Sequence, residues 1–203
     1  MVQNKEDMMR EEILISAQKL FQQYGLRKTT MEDIAKKSGK GKSTLYYYYP
    51  SKEEIFDEVV RREAREVFLA TQKAIEAVST AEAKLEAYFV TSLKMVQTKV
   101  NLYNIVRNEF VDDNAARIRS LIKKINLNDI ETVKGILQLG IQNHEFTADI
   151  QEGIDLIAYI IVSATRSILI DLALDAPVPD WELRSHVMIE LFIKGCKATD
   201  NTR

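Results

Sequence analysis

The 203-residue sequence predicts an all-α protein. Prolines occur only at positions 50, 177 and 179, so the long stretch between Pro50 and Pro177 lacks the strongest helix breaker. Apolar residues recur every three or four positions, and no segment alternates with the two-residue period of a strand. The first fifty residues hold short helices separated by capping and turn signals, whereas the last two helices are apolar around most of their circumference. The expected architecture is an N-terminal three-helix unit over residues 1–50, with a helix-turn-helix at about 30–49, and a C-terminal helical bundle over 51–203 that dimerises.

The first helix carries Ile13, Ala17, Leu20, Phe21 and Tyr24 on one stripe and stops at Gly25, a natural residue just past a helix end. Thr29-Thr30 then offers an N-cap, with Asp33 three residues after Thr30, which predicts a second helix from about Met31 to Ser38. Ala35, Gly39 and Leu45 follow at the spacing of two helices that cross closely: a small residue at the crossing, a positive-φ turn, and a plug for the shared core. Pro50 ends the third helix, and Ser51 with Glu54 opens a long fourth helix towards Val78. Its charged middle, Arg61, Arg62, Glu63, Arg65 and Glu66, suits a connector. Later stripes run through Leu85, Tyr88, Phe89, Ser92, Leu93 and Val96, then Ile118 to Ile125, then Ile130, Val133, Leu137 and Ile141.

The run Tyr46-Tyr47-Tyr48-Tyr49 is the sharpest local signal. Successive residues of a helix are rotated by about 100°, so four adjacent rings cannot share one buried side. Leu45 and Tyr49 fall on one face, which we assign to the core; Ser43, Tyr46 and Tyr47 point the other way, flanked by Thr44 and Tyr48. That outer face presents hydroxyls and phenols, with Lys40, Lys42 and Lys52 around it, a composition suited to phosphates and base edges. Charge agrees locally. Residues 27–52 hold seven Lys or Arg against two acids, a balance of +5 inside a chain whose total is −2.

Between Gln151 and Leu174, and again through Leu183, Val187, Met188, Leu191, Phe192 and Ile193, apolar residues cover most of each helix. Such helices need covering on two sides, and a second copy of the chain would supply the second side. The longest apolar run, Leu156 to Val162, is too short to span a bilayer, and the polar, mixed-charge start of the chain has no signal-peptide core. A single cysteine, Cys196, forms no internal disulfide. The two histidines, His144 and His186, stand outside any metal-ligand spacing, and neither a P-loop nor a nucleophile elbow occurs, so neither an enzyme nor a bound cofactor or metal is expected.

From about Glu11 to Phe56 the order of an apolar helix, Tyr24-Gly25, Thr29-Thr30, Ile34-Ala35, Gly39, Thr44-Leu45-Tyr46, an aromatic at 49 and Ser51-Lys52-Glu53 resembles the N-terminal signature of the TetR family, the tetracycline-repressor-like bacterial transcriptional regulators. The resemblance implies DNA contacts at Thr30, Lys42, Ser43, Thr44, Tyr46, Tyr47, Tyr48 and Lys52. Lys40 stands where an apolar residue is usual and Gly41 where Ser or Ala is common, which implies a looser cap on the recognition helix and an additional cation. It further implies a cytoplasmic homodimer joined through its two C-terminal helices, reading a palindromic operator in double-stranded DNA as a repressor released by a small-molecule effector. Candidate effector contacts are Phe68, Tyr88, Ser92, Tyr103, Asn104, Arg107, Phe110, His144 and Arg166. Arg166, set among isoleucines, either pairs with a carboxylate at the subunit interface or anchors an acidic ligand. The alternative is a helical ligand-binding or interaction protein whose helix-turn-helix is only structural.

Overall fold

The computed structural model describes residues 5–98, 115–173 and 181–197, and among them the regular structure is helical. Eight α-helices follow one another: α1 (Lys5–Lys28), α2 (Met31–Ser38), α3 (Lys42–Tyr48), α4 (Lys52–Glu76), α5 (Ala81–Thr98), α6 (Ala115–Gln142), α7 (Ile154–Ala173) and α8 (Trp181–Cys196). A single 3-10 turn, Ala148–Ile150, precedes α7. The stripes expected around Ile118 to Ile125 and Ile130 to Ile141 lie on one helix, α6. No described helix is long and apolar enough to cross a membrane.

The chain divides into two compact units. The first takes in residues up to Arg65 together with the start of α6, and the second the remainder of α4 with α5, the rest of α6, α7 and α8. The sequence placed this boundary at residues 50 and 51. Past that expected boundary the first turns of α4 bury Ile55, Phe56, Val59 and Val60, with Phe56 edge-on to Phe21 of α1 at 5.6 Å. Pro50 therefore ends a helix without ending a unit.

In the first unit α1 packs on α2, and α2 on α3. Ile13, Ala17, Leu20 and Phe21 are buried as the stripe predicts, but Tyr24 is 51% exposed. Gly25, at φ 77 and ψ 163, turns the chain out of the helix, and Leu26 takes the inward place that Tyr24 would have filled. Two polar contacts also join α1 to α4: Gln18 Nε2 donates to the buried Glu63, and Arg62 pairs with Glu11 at 2.8 Å.

The second unit is a bundle in which α5 packs against α7 and α8. Its core gathers Leu85, Tyr88 and Phe89 of α5, Val133, Ile136 and Leu137 of α6, Ala158, Ile161 and Val162 of α7, and Ile189 and Ile193 of α8. Phe89 stacks on Phe192 at 5.8 Å. α6 ends in a tight turn, where the Gly140 carbonyl accepts the amides of Glu145 at 2.8 Å and Phe146 at 3.0 Å, and His144 adopts φ 59. The turn drops the Phe146 ring into the core, while Glu145 Oε2 reaches the Glu82 amide at 3.2 Å and caps α5. Partial desolvation of Glu145 works against its ionisation, but the amides of Ala81 and Glu82 hold its carboxyl below the usual range. The end of α8 closes on the same place: Thr147 N–H donates to the Cys196 carbonyl at 2.8 Å, and Lys197 pairs with Glu82 at 2.9 Å.

Two glycines of α6 make opposite demands. A Cβ on Gly140 would overlap the Phe146 ring, with Cγ at 2.8 Å, and that ring is 2% exposed with nowhere to retreat. A Cβ on Gly135 meets nothing within 4 Å. Alanine gains about 1 kcal/mol over glycine in a helix interior, whereas overpacking costs about 1–3 kcal/mol or more. Gly135→Ala is therefore expected to raise the midpoint of denaturant unfolding and Gly140→Ala to lower it. A rise in both would mean that the Phe146 ring relaxes freely.

Candidate nucleic-acid interface

The helix-turn-helix is assembled from local bonds. Thr30 and Asp33 form a reciprocal capping box: the Asp33 amide donates to Thr30 Oγ1 at 3.1 Å, and the Thr30 amide to Asp33 Oδ2 at 2.9 Å. Hydrogen bonds from the Thr30 hydroxyl and then its amide hold the Asp33 carboxyl below its ordinary pKa. α2 closes at Gly39, left-handed at φ 66, and the Lys40 amide donates back to the Ala35 carbonyl at 2.9 Å. α3 starts at Gly41, whose extended backbone brings no side chain to cap the helix. This is the loose cap that the sequence implies.

The phase of α3 separates its residues as expected. Leu45 is 0% exposed and Tyr49 5%, whereas Tyr46 is 46% and Tyr47 75% exposed. Lys42 and Ser43 are exposed too, and Thr44 and Tyr48 are half-buried at the edge of the outer face. Tyr47 meets Tyr48 edge-to-face, centroids 5.1 Å apart. Burial raises the pKa of the inward Tyr49 phenol against the opposing influence of Arg10.

The cations divide by role. Lys42 lies 3.6 Å from Glu32 with both side chains largely in solvent, a weak pairing that leaves the ammonium available to an anion. Lys40 pairs with Glu12 of α1 at 2.6 Å and is mostly covered. Lys52 points into the turn between α1 and α2, its Nζ 2.9 Å from the Leu26 carbonyl, 3.3 Å from that of Arg27 and 3.0 Å from that of Thr29. Thr30 is exposed, with its hydroxyl committed to the cap.

Arg10 is the residue that sequence reasoning missed. Its guanidinium sits 5.5 Å from the Tyr48 ring centroid and 5.3 Å from that of Tyr49, and Nη1 donates to the Tyr48 carbonyl at 3.4 Å. With Glu12 on Lys40, α1 thus grips both ends of α3. No signal near the motif announces either residue, since each lies a helix away in sequence.

The expected effector contacts that lie among the described residues fall on several elements. Tyr88 and Ser92 are buried in α5, Tyr88 within the core. Phe68 is half-buried on α4. His144 is exposed in the turn after α6, where its backbone completes the helix end, so its side chain faces away from the bundle interior. Tyr103, Asn104, Arg107 and Phe110 lie outside the described residues. Arg166 is half-buried on α7, and the carboxylate acting on it is Asp129 of the same chain. Among the described residues no cluster of three or more His, Cys, Asp or Glu could hold a metal ion. Cys196 is buried, which pushes its thiol pKa up.

A short helix presenting a polar aromatic face beside local positive charge, on a turn with a left-handed glycine, defines a helix-turn-helix DNA-binding protein. Residues 13–59 match the family described as bacterial regulatory proteins, tetR family. Over these residues the chain carries the DNA-binding domain of tetR-family regulators. It is similar to the HTH-type transcriptional repressor KstR2 of Rhodococcus jostii, 29% identical over 70% of this chain and 69% of that protein. The Fatty acid metabolism regulator protein of Bacillus subtilis is 23% identical over 91% of this chain and 93% of its own. Among solved structures, FadR of Bacillus subtilis in complex with stearoyl-CoA superposes with a TM-score of 0.76 at 21% identity, covering 91% of this chain and 98% of that one. FadR of Bacillus halodurans gives 0.77 at 16% identity, over 92% and 95%.

Asp129 carries a pH dependence. Burial pushes its carboxyl up to about 6 against the pull of the Arg166 charge. The folded state therefore holds this proton more tightly than the unfolded chain. The resulting stabilisation is fully present below about pH 4 and is lost as the pH rises to about 6, amounting to ~1–3 kcal/mol. Asp129→Asn is expected to remove that part of the slope in denaturation midpoints measured from pH 4 to 7. An unchanged slope would assign the dependence to another group.

Proposed function

We propose that this protein is a cytoplasmic, homodimeric repressor that binds a palindromic operator through α3 and is released by a small-molecule effector. The observation that carries the DNA reading is the division of α3, with Leu45 and Tyr49 in the core and Ser43, Tyr46 and Tyr47 turned outwards next to Lys42. Phenol and hydroxyl groups at that position serve phosphate oxygens and base edges. Thr30 and Thr44 flank the same surface.

The dimer rests on the two-faced character of α7. Ala158, Ile161, Val162 and Leu169 are buried in the bundle, yet Leu156, Tyr159 and Ile160 are 62%, 54% and 47% exposed; on α8, Val187 is 48% and Leu191 68% exposed. Apolar surface of this kind on adjoining helices calls for a second subunit. Leu191→Glu would bury a charge in that contact at a cost on the order of several kcal/mol. Sedimentation is expected to find a folded monomer that no longer binds the operator. A dimer that still bound it would place the interface elsewhere.

The effector reading draws on the FadR fold likeness and its bound stearoyl-CoA. We take long-chain acyl-CoA as the first candidate, its chain entering the second unit. An effector shifts the equilibrium only by its preference for the released state, and operator DNA must weaken its binding by the same factor. The experiment is to recover the operator by selection from random DNA, then titrate stearoyl-CoA calorimetrically with and without it. Affinity at least about fivefold weaker in the presence of operator is expected; equal affinity would remove acyl-CoA from consideration.

A further inference from the structure

We propose that Arg10 is a positioning residue for the reading surface: from α1 it fixes the ring of Tyr48 and, through it, the ring of Tyr47, so that sequence preference depends on a side chain 38 residues upstream of the helix end it holds. Its role in binding rests on the operator-binding reading above; its place in the structure rests on contacts within the first unit.

α3 is poorly equipped to hold its own ends. Gly41 brings no side-chain bond to its start, and its last turn contains no basic residue. The last carbonyls of any helix lack intrahelical partners, and the dipole there favours a cation. Arg10 meets both needs from another helix. Its Nη1 donates to the Tyr48 carbonyl at 3.4 Å, while the same guanidinium lies 5.5 Å from the Tyr48 ring centroid and 5.3 Å from that of Tyr49. A planar cation against two neighbouring rings and the carbonyl between them constrains backbone and side chains together.

The two rings differ in how much they need that restraint. Tyr49 is buried at 5% exposure and is already held by the core. Burial raises its phenol pKa and Arg10 works against that rise, so the guanidinium acts on this ring electrostatically as well. Tyr48 is half-buried at the edge of the outer face, and Tyr47, 75% exposed, packs edge-on to it with centroids 5.1 Å apart at 88°. An exposed tyrosine left to itself samples several rotamers, and freezing one on binding costs entropy. A Tyr47 ring seated against Tyr48 brings less of that cost, and Tyr48 is itself seated by Arg10. Arg10 is an exposed residue, so a change there leaves the core untouched and its variants are expected to fold.

Two measurements on the full chain test the relay, with Arg10→Met, Arg10→Lys and Tyr47→Ala. Without DNA, nuclear magnetic resonance of ring-labelled tyrosine reads the seat directly. Both Arg10 variants are expected to shift the Tyr48 and Tyr47 ring signals and to leave that of Tyr88, in the other unit, where it is. Arg10→Lys keeps the charge without the planar group, so it does not restore the signals. With operator recovered by selection, fluorescence anisotropy reads a double-mutant cycle. Arg10→Met is expected to cost about tenfold in operator affinity by itself but about twofold or less in the Tyr47→Ala background, because the two side chains act through one ring. Affinity for random duplex is expected to fall by less than about threefold. A direct phosphate contact from Arg10 gives the opposite pattern: effects that add to those of Tyr47→Ala, equal weakening of operator and random DNA, and full affinity in Arg10→Lys. That pattern overturns the proposal, and so do ring signals that stay in place in Arg10→Met. A natural chain that prefers no DNA sequence counts against operator binding itself, and the ring signals then still decide whether Arg10 seats the tyrosines.

Discussion

A helix of seven residues has almost no stability of its own, because nucleation fixes several dihedrals before the hydrogen bonds compensate. α3 exists because Leu45 is fully buried where α3 packs on α2, and the rest of the first unit is arranged around keeping it there. Gly39 sets the angle at which α3 leaves α2, Glu12 and Arg10 hold its two ends from α1, and Tyr49 seals the exit into α4. With the inner face so committed, the remaining phenols have only the outside available. The reading surface is what the core constraint leaves over.

The local features of this unit were legible in the sequence because each is encoded within a few residues. The Thr30–Asp33 box, the left-handed Gly39, the weak cap at Gly41 and the Ser51 hydroxyl on the Glu54 amide at 3.2 Å all follow from side chains that meet their partners one turn away. Helical phase likewise separates Leu45 from Tyr47. Periodicity does not tell which distant element a side chain will reach, and every surprise is of that kind: Lys52 on the carbonyls after α1, Lys40 on Glu12, Arg10 on Tyr48 and Tyr49, Glu145 on the α5 amides. Tyr24 failed for a related reason, since a stripe assumes a straight axis and Gly25 ends it one residue later.

In the second unit the sequence marked which helices are apolar without saying where their polar residues go. His144, a candidate effector contact, is an exposed residue of the turn after α6, at φ 59. Arg166 was read as pairing with an interface carboxylate or an acidic ligand; within the bundle its charge also acts on Asp129, whose carboxyl is raised by burial. Two half-compensated charges in the bundle are less settled than a buried aliphatic pair, since each depends on the other remaining ionised. On the outer face of α7, Leu156, Tyr159 and Ile160 remain exposed.

The closure of α8 on the turn after α6 bears on the order in which the protein folds. Ile189, Ile193 and Cys196 complete a core begun by α5, α6 and α7, and the Cys196 carbonyl is the partner that the Thr147 amide requires. These are contacts between segments far apart in the chain, and the loop they close must be ordered before they contribute. The buried apolar residues of α1, α2, α3 and the first turns of α4, by contrast, all lie between Ile13 and Val60. A nascent chain can therefore hold a formed helix-turn-helix while the bundle still lacks its last helix, with Phe89 and Leu137 open to solvent. The helix-turn-helix unit precedes the bundle, and the vulnerable period for aggregation belongs to the bundle.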